Sequence, residues 1–539
     1  MKRVWQWLSV ACMTCLGSGV SSARAPEKMI HPPPSSLARP LEADGHRPAA
    51  TSITFPDTFL FGTATAGFQV DMGCPDDPLG ECLDANSDWY AFSTDPDVID
   101  STTAFLSGQD PALVGPGFYQ LYEEDLDRVT DELENNAFRM GLEWSRIFPE
   151  ATDGIEGYSD LINVANIEAL DHYHRVFAAL RARGITTMVT VNHYSLPLWI
   201  HNGAECHLNY NTCGHKGWRD KERTVDELAK FAGFVAQEFG AEVDLWATEN
   251  EPLAVVLPGF LAPSPGRTNP PAAFAKADDA TTTFIGLIEA HARMYDAIKA
   301  GDRWDVDRDG LTSKVGIVYN MSPVKPMNEN DPKDVQAAKN VFYLWNTAFL
   351  NAVCQGMLDD DLDGVAEYRE DLDHRMDYVG INYYTRITVG GLRFSIMPRF
   401  SPLATFNPFE MQAWEDYDKG LYEMIKYVWD TYHLPTIVTE NGAEDPEDDG
   451  TGASYLVRHL TWVGKAVQEG LPVQGYFYWT LMDNVEWNHG MNVRMGLYAV
   501  EADDPDKIRT PRQAVPYYAE IAGTRTISPA LQAEFPATP

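Results

Sequence analysis

From Thr54 onward, short apolar runs rich in β-branched and aromatic residues alternate with longer segments whose apolar residues recur at helical spacing. The runs predict strands at 60–66, 137–142, 187–192, 243–248, 314–320, 377–382, 436–440 and 475–481. Several are continuously apolar and bounded by turn residues, the mark of a strand buried in a parallel sheet. Helices are predicted at 167–183, 224–239, 331–356, 420–432 and 454–470, and Gly184 and Gly240 follow the first two as stop signals. Eight strands separated by helices in a chain of 539 residues predict an α/β fold, a single (β/α)8 TIM barrel with long loop insertions. Two doubly wound domains would need a linker near the middle, and no composition break supplies one. No repeat of solenoid spacing is present.

The ends of the chain break this pattern. Residues 1–25 have a basic start, an apolar stretch and the small-residue run Ala23-Arg24-Ala25, which reads as a cleaved signal peptide and hence an exported protein, periplasmic or extracellular. Residues 26–52 are rich in Pro, Ala and Ser and read as a flexible leader. The barrel is placed at 53–525 and a C-terminal tail at 526–539. No later apolar run is long enough to span a membrane. A formal charge of −38, from 41 basic and 79 acidic residues, argues against nucleic acid or an anionic membrane as a partner.

Of the seven cysteines, Cys12 and Cys15 leave with the signal peptide. Cys74 with Cys82 and Cys206 with Cys213 are close pairs, read as disulfides closing short loops in an exported protein, each contributing roughly 2 to 3 kcal/mol. Neither pair has the CxxC spacing of a zinc site. Cys354 is left as a buried thiol in an apolar helical stretch.

The candidate chemistry lies where strands end. In parallel α/β folds the C-terminal ends of the strands meet the ligand. Thr439-Glu440-Asn441-Gly442 closes the seventh strand, and Thr248-Glu249-Asn250-Glu251-Pro252 closes the fourth. A lone Glu at such a place is a surface residue by default. Two carboxylates facing each other across the mouth of a barrel are what glycoside hydrolysis needs, one to protonate the leaving oxygen and one to attack or to activate water.

The chain resembles the family 1 glycoside hydrolases, the β-glucosidase and β-galactosidase family. The motifs that carry the resemblance run in order: FPDTFLFGTATAGFQ (55–69), FRMGLEWSRIFP (138–149), VNHYSLPLW (191–199), TENEP (248–252), GINYYT (380–385), TENG (439–442), YWTLMDNVEW (478–487) and RMGLYAV (494–500). The resemblance implies that Glu251 is the general acid/base and Glu440 the nucleophile of a retaining mechanism. Arg139 and Tyr384 would keep Glu440 ionised, and Asn250 would bond the sugar 2-hydroxyl. Gln69, His193, Asn382, Glu486 and Trp487 match groups that bind sugar hydroxyls, and Trp479 matches the aromatic floor under the ring. Trp144 and Trp246 read as packing. Glu486 would repel a phosphate at C6, so the resemblance implies an unphosphorylated glycone.

Some positions depart from the family pattern. Tyr194-Ser195 replaces the common Trp-Asp, which is nearer the archaeal-type members. Asp71 stands where many members have Glu, and Glu249 is unusual and reads as structural or supporting. No cofactor is implied for catalysis. Outside the family pattern, Asp359, Asp361, Asp363 and Glu370 fit the spacing D-x-D-x-D-G-x5-E, a candidate structural calcium loop, and 305–310 repeats its first half.

The expectation is a retaining β-glycosidase acting on small saccharides or aryl and alkyl β-glycosides, β-glucosidase above all, with some galactosidase or fucosidase activity. A transglycosidase, in which an acceptor sugar outcompetes water, would use the same residues. A sugar-binding protein with lost catalysis would be expected to lack one of the two carboxylates.

Overall fold

The computed structural model describes residues 51–243 and 245–539. The expected signal peptide, and the part of the expected leader before Thr51, lie outside the described residues. Eight strands close into a parallel barrel: β1 (Leu60–Ala64), β2 (Ala137–Gly141), β3 (Thr186–Asn192), β4 (Leu245–Asn250), β5 (Lys314–Asn320), β6 (Tyr378–Asn382), β7 (Thr436–Asn441) and β8 (Val473–Trp479). Each pairs with its neighbours in sequence, and β8 pairs with β1 to complete the ring. A principal helix follows each strand, with shorter helical turns in the loops: α1 (Phe118–Asp127), α2 (Ile167–Ala182), α3 (Lys221–Phe239), α4 (Ala277–Gly301), α5 (Pro332–Phe342), α6 (Lys419–Tyr432), α7 (Thr451–Gln468) and α8 (Ala514–Thr524).

The local causes are visible in α2. The Asn166 side chain accepts from the N–H groups of Glu168 and Ala169, capping the first turn. Leu170, Tyr173, Val176, Phe177 and Leu180 form its buried face, and Gly184 follows it at a φ of +69°. Helix α5 differs from the continuous helix expected over 331–356. It passes through a π-turn at Tyr343–Thr347 before resuming at Ala348–Gln355, so the expected helix holds in three pieces.

Two apolar layers surround the strands. Outside, Trp246 packs against the helical shell and donates its Nε1–H to Asp302, while Trp144 stacks on Phe231 at 5.4 Å; both are packing residues, as their context predicts. Inside, Ala64, Ala137, Met188, Leu245, Ala247, Val318, Tyr378, Ile437 and Phe477 fill the barrel axis. Phe477 fits because position 62 is glycine: a Cβ there would lie 2.7 Å from its ring.

Both expected disulfides, Cys74–Cys82 and Cys206–Cys213, are formed, and Cys354 is free. The segment 526–539 opens with Thr526–Ile527, which pairs antiparallel with Ile53–Thr54, and continues into a short helix, Pro529–Glu534. No helix among the described residues is long and apolar enough to cross a membrane.

Candidate active site

Strand register brings the polar rim together. Asn320 on β5 pairs with Asn382 on β6, and Asn382 pairs with Glu440 on β7, so three polar residues stand side by side at the same height. Strand β4 reaches the rim through a bulge: Ala247 pairs with Gly316 and Asn250 with Val318, three residues against two. The bulge explains why the strand runs two residues beyond the 243–248 read from the apolar run. Glu251 then takes a left-handed backbone, φ +43°, directly before Pro252. Tyr194 and Trp487 also have positive φ, at 73° and 51°. Such conformations cost about 1 kcal/mol or more each and gather at functional sites.

The two carboxylates are held by different partners. Arg139 on β2 donates Nη1–H to Glu440 Oε1 at 2.7 Å, and Tyr384 donates its hydroxyl to Oε2 at 2.6 Å. Glu251 Oε1 accepts from Asn382 at 2.8 Å and Asn320 at 3.2 Å, and its Oε2 accepts from the Tyr194 hydroxyl at 3.0 Å. Asn250 joins the two halves. Its Oδ1 accepts from Arg139 at 3.0 Å and Asn382 at 3.2 Å, and its amide donates to the Tyr194 oxygen at 2.7 Å. A continuous hydrogen-bonded chain therefore runs from one carboxylate to the other.

Burial is the largest influence on Glu440. It pushes the carboxyl up to about 7, with the Glu251 charge acting in the same direction and Arg139 and the Tyr384 hydroxyl pulling against them. The two donors are where the sequence predicts, yet they only partly offset burial in the free protein. Gly442 lets the seventh strand end pass close by the eighth, since a Cβ at that position would lie 2.0 Å from the Trp479 carbonyl oxygen. Asn441 plays a different part from Asn250: it bonds the Tyr383 carbonyl and the hydroxyls of Tyr455 and Tyr476, and so anchors the strand end.

Beside this pair lies a polar and aromatic wall. Gln69 Nε2 donates to Glu486 Oε2 at 3.0 Å. The His193 ring lies nearly parallel to Trp479 and Trp487, each at 5.8 Å, and burial with the Arg139 and Arg267 charges keeps it neutral. Gln69 Oε1, His193 Nδ1 and Asn484 Nδ2 are buried without a protein partner. Orphaned polar atoms cost about 1 to 3 kcal/mol each unless something binds them. All the site residues named from sequence at the barrel mouth thus fall into one assembly. Tyr194, Asn320 and Arg267 belong to it as well; Asn320 carries a signal as a polar residue ending an apolar strand, Tyr194 only as a departure from the family pattern, and Arg267 carries none.

A sequence model for glycosyl hydrolase family 1 matches residues 51–527. The chain belongs to glycosyl hydrolase family 1. This glycoside hydrolase is 34% identical to a β-galactosidase of Pyrococcus woesei, over 89% of its own length and 99% of that protein. A β-galactosidase of Saccharolobus solfataricus is 31% identical, over 89% and 97%. Among solved structures, the β-glycosidase of Thermosphaera aggregans superposes with a TM-score of 0.75 at 29% identity, covering 90% of this chain and all (100%) of that one. The kinship with archaeal proteins agrees with the Tyr194-Ser195 form of the His193 motif.

Three acidic features of the hydrolase lie outside that assembly. Glu249, in the β4 bulge, is fully buried with both carboxylate oxygens unpartnered, and desolvation alone raises its pKa far above the usual range. Burial without a partner among the described residues favours its neutral, protonated form. The candidate calcium loop is assembled only in part: Asp359, Asp361 and Asp363 bring oxygens within 4.8 Å of one another, but Glu370 is not among them. The reason is a hairpin. Met357–Leu358 pairs with Glu367–Tyr368, and the Arg369 N–H bonds the Gly356 carbonyl, which carries Glu370 away from the turn. Asp359 already accepts from the Tyr343 hydroxyl and the N–H of Gly364. Asp305, Asp307 and Asp309 form a second, exposed cluster.

Proposed function

We propose that this enzyme hydrolyses terminal, unphosphorylated β-D-glycosides with retention, β-glucosides first and β-galactosides or β-fucosides beside them. The observation that carries the reading is the hydrogen-bonded chain from Glu440 through Arg139 and Asn250 to Glu251. Glu440, gripped by a cation and a phenol, is suited to attack the anomeric carbon once it has lost its proton. Glu251, held by two neutral amides and a phenol, is the second carboxylate of the pair, the group that must first give a proton to the leaving oxygen and then draw one from water. Asn250 lies between them, where it can bond the hydroxyl next to the reacting carbon. Both steps are carboxylate chemistry and require no cofactor. The orphaned atoms of Gln69 and His193 beside the Trp479 ring support a sugar in the pocket: amide and imidazole atoms fork onto hydroxyls while an indole packs against the C–H face.

A panel of aryl β-glycosides with the wild type, Glu440→Gly and Glu251→Ala tests the assignment. The wild type should be active and the Glu440 variant inactive on every substrate; full activity without Glu440 would remove the mechanism. The names of relatives, β-galactosidases and a β-glucosidase of Thermotoga maritima among them, support a glycone of this class. Export rests on the leader at 1–25, and the two disulfides support an oxidising compartment. The three aspartates at 359–363 support at most a three-carboxylate calcium loop; a melting temperature unmoved by calcium or chelator would reject it.

A further inference from the structure

The loop after Glu251 reaches back over the sugar pocket. Residues 264–267 form a tight turn in which Ser264 and Arg267 exchange backbone hydrogen bonds at 3.0 and 3.1 Å. The turn is docked onto the segment that carries Glu486. The Thr268 N–H donates to Asn488 Oδ1 at 3.1 Å, the Asn488 amide donates to the Pro265 carbonyl at 3.4 Å, and His489 Nε2 bonds the Gly266 carbonyl at 3.0 Å. What this docking delivers is the Arg267 side chain.

Its guanidinium lies over two rings, 5.2 Å from the centre of Tyr194 and 5.1 Å from that of Trp487. Both distances are within cation–π range, so the two ring faces attract the cation to this position. Nη1 stands 3.8 Å from Glu486 Oε1, close enough to attract and too far to hydrogen-bond. Among the described residues no protein acceptor takes a hydrogen bond from this guanidinium, so its donors are not spent on the protein. The same position spans the two ends of the site, since Tyr194 bonds Glu251 and Glu486 bonds Gln69.

Charge gives the arrangement a purpose. Burial raises the Glu486 carboxyl, Arg267 is the leading opposing influence, and Glu251 and Glu444 add to the rise. Two histidines face this wall, His193 and His489, and burial lowers the pKa of each, with the Arg267 charge acting in the same direction. A carboxylate accepts hydrogen bonds from hydroxyls at both oxygens, and its protonated form gives up part of that capacity. Arg267 thus favours the acceptor form of Glu486 and offers donors beside it.

We propose that Arg267 is a specificity-determining residue of the glycone pocket: paired with Glu486, it binds the hydroxyl of the C6 hydroxymethyl group and makes the enzyme select a glycone that carries this group free. This rests on the reading that Glu486 faces that group of the glycone. Arg267 supplies donors and Glu486 acceptors, so a hydroxyl between them is bound from both sides. Because the contact is remote from the breaking bond, it acts on ground state and transition state alike and appears in KM more than in kcat.

The test compares an aryl β-glucoside with the matching β-xyloside, which lacks the hydroxymethyl group, in the wild type, Arg267→Met and Arg267→Lys. Losing one charge-assisted contact should raise KM for the glucoside by about tenfold in Arg267→Met, with kcat within about twofold. The xyloside kcat/KM should change by less than about twofold, and Arg267→Lys, which keeps the charge and loses the fork, should recover part of the loss. Should Arg267→Met fail to fold, Arg267→Lys gives the same comparison with a factor of about three. Equal losses on both sugars, or an unchanged glucoside KM, overturn the proposal while leaving the glycosidase reading standing. A wild type inactive on both sugars overturns that reading and this inference with it.

Discussion

Glu440 shows how the site balances opposed demands at the scale of a residue. A nucleophile must be ionised, and a water-excluding pocket disfavours ionisation. Burial wins in part, pushing the carboxyl up to about 7 against Arg139 and Tyr384. The Tyr384 hydroxyl, at 2.6 Å, stabilises the charged form more than the neutral one. In Tyr384→Phe the acid limb of kcat/KM should therefore move to higher pH, by about one to two units for a hydrogen bond to a charged group. An unmoved limb would show that Glu440 does not govern it. The limb belongs to the interacting pair, so its displacement and not its position carries the information.

At the scale of elements, a buried polar cluster predicts how stability depends on pH. Glu143 follows β2 and accepts from the Phe68 N–H and the Ser195 hydroxyl, while Asp71 stands 3.5 Å from Arg146. Burial is the largest cause in both, raising Glu143 to about 8 and Asp71 to about 7, with the charge of Asp84 adding to each. The native state therefore holds protons that the unfolded chain has released above about pH 4. Their contribution is complete below that range and is lost as pH rises toward 7 or 8. Glu143→Gln should flatten the fall in stability between about pH 5 and 8 by up to about 1.4 kcal/mol per pH unit. Denaturant titrations across that range measure it, and an unaltered slope would contradict the assignment.

The eight barrel strands are legible in the sequence because strands buried on both faces are written as continuous apolar runs. Their ends are less so. The bulge in β4 and the π-turn after α5 are set by neighbouring elements, and no period along the chain records them. Asn250, Glu251, Glu440 and the sugar wall were legible because motif and strand end coincide. Tyr194 was read only as a departure from the family pattern, although its hydroxyl bridges Asn250 and Glu251. Arg267 sits in a loop with neither period nor motif, and only its docking against 486–489 gives it meaning.

Over the whole molecule, the barrel gathers groups far apart in sequence at one mouth: Arg139 from the second strand, Glu251 after the fourth, Glu440 from the seventh and Glu486 beyond the eighth. Closure fixes their mutual geometry, since each strand is held by both neighbours and Ile53–Thr54 and Thr526–Ile527 tie the ends of the domain together. The central claim is that Glu440 attacks one face of the sugar and Glu251 serves the other. Chemical rescue by azide reads this directly, because a small anion enters where a carboxylate has been removed. With an aryl β-glucoside, Glu440→Gly should yield the α-glucosyl azide, formed by attack from the vacated nucleophile side. Glu251→Ala should yield the β-glucosyl azide, formed by attack on the covalent intermediate. The same anomer from both variants, or the reverse assignment, would contradict the account.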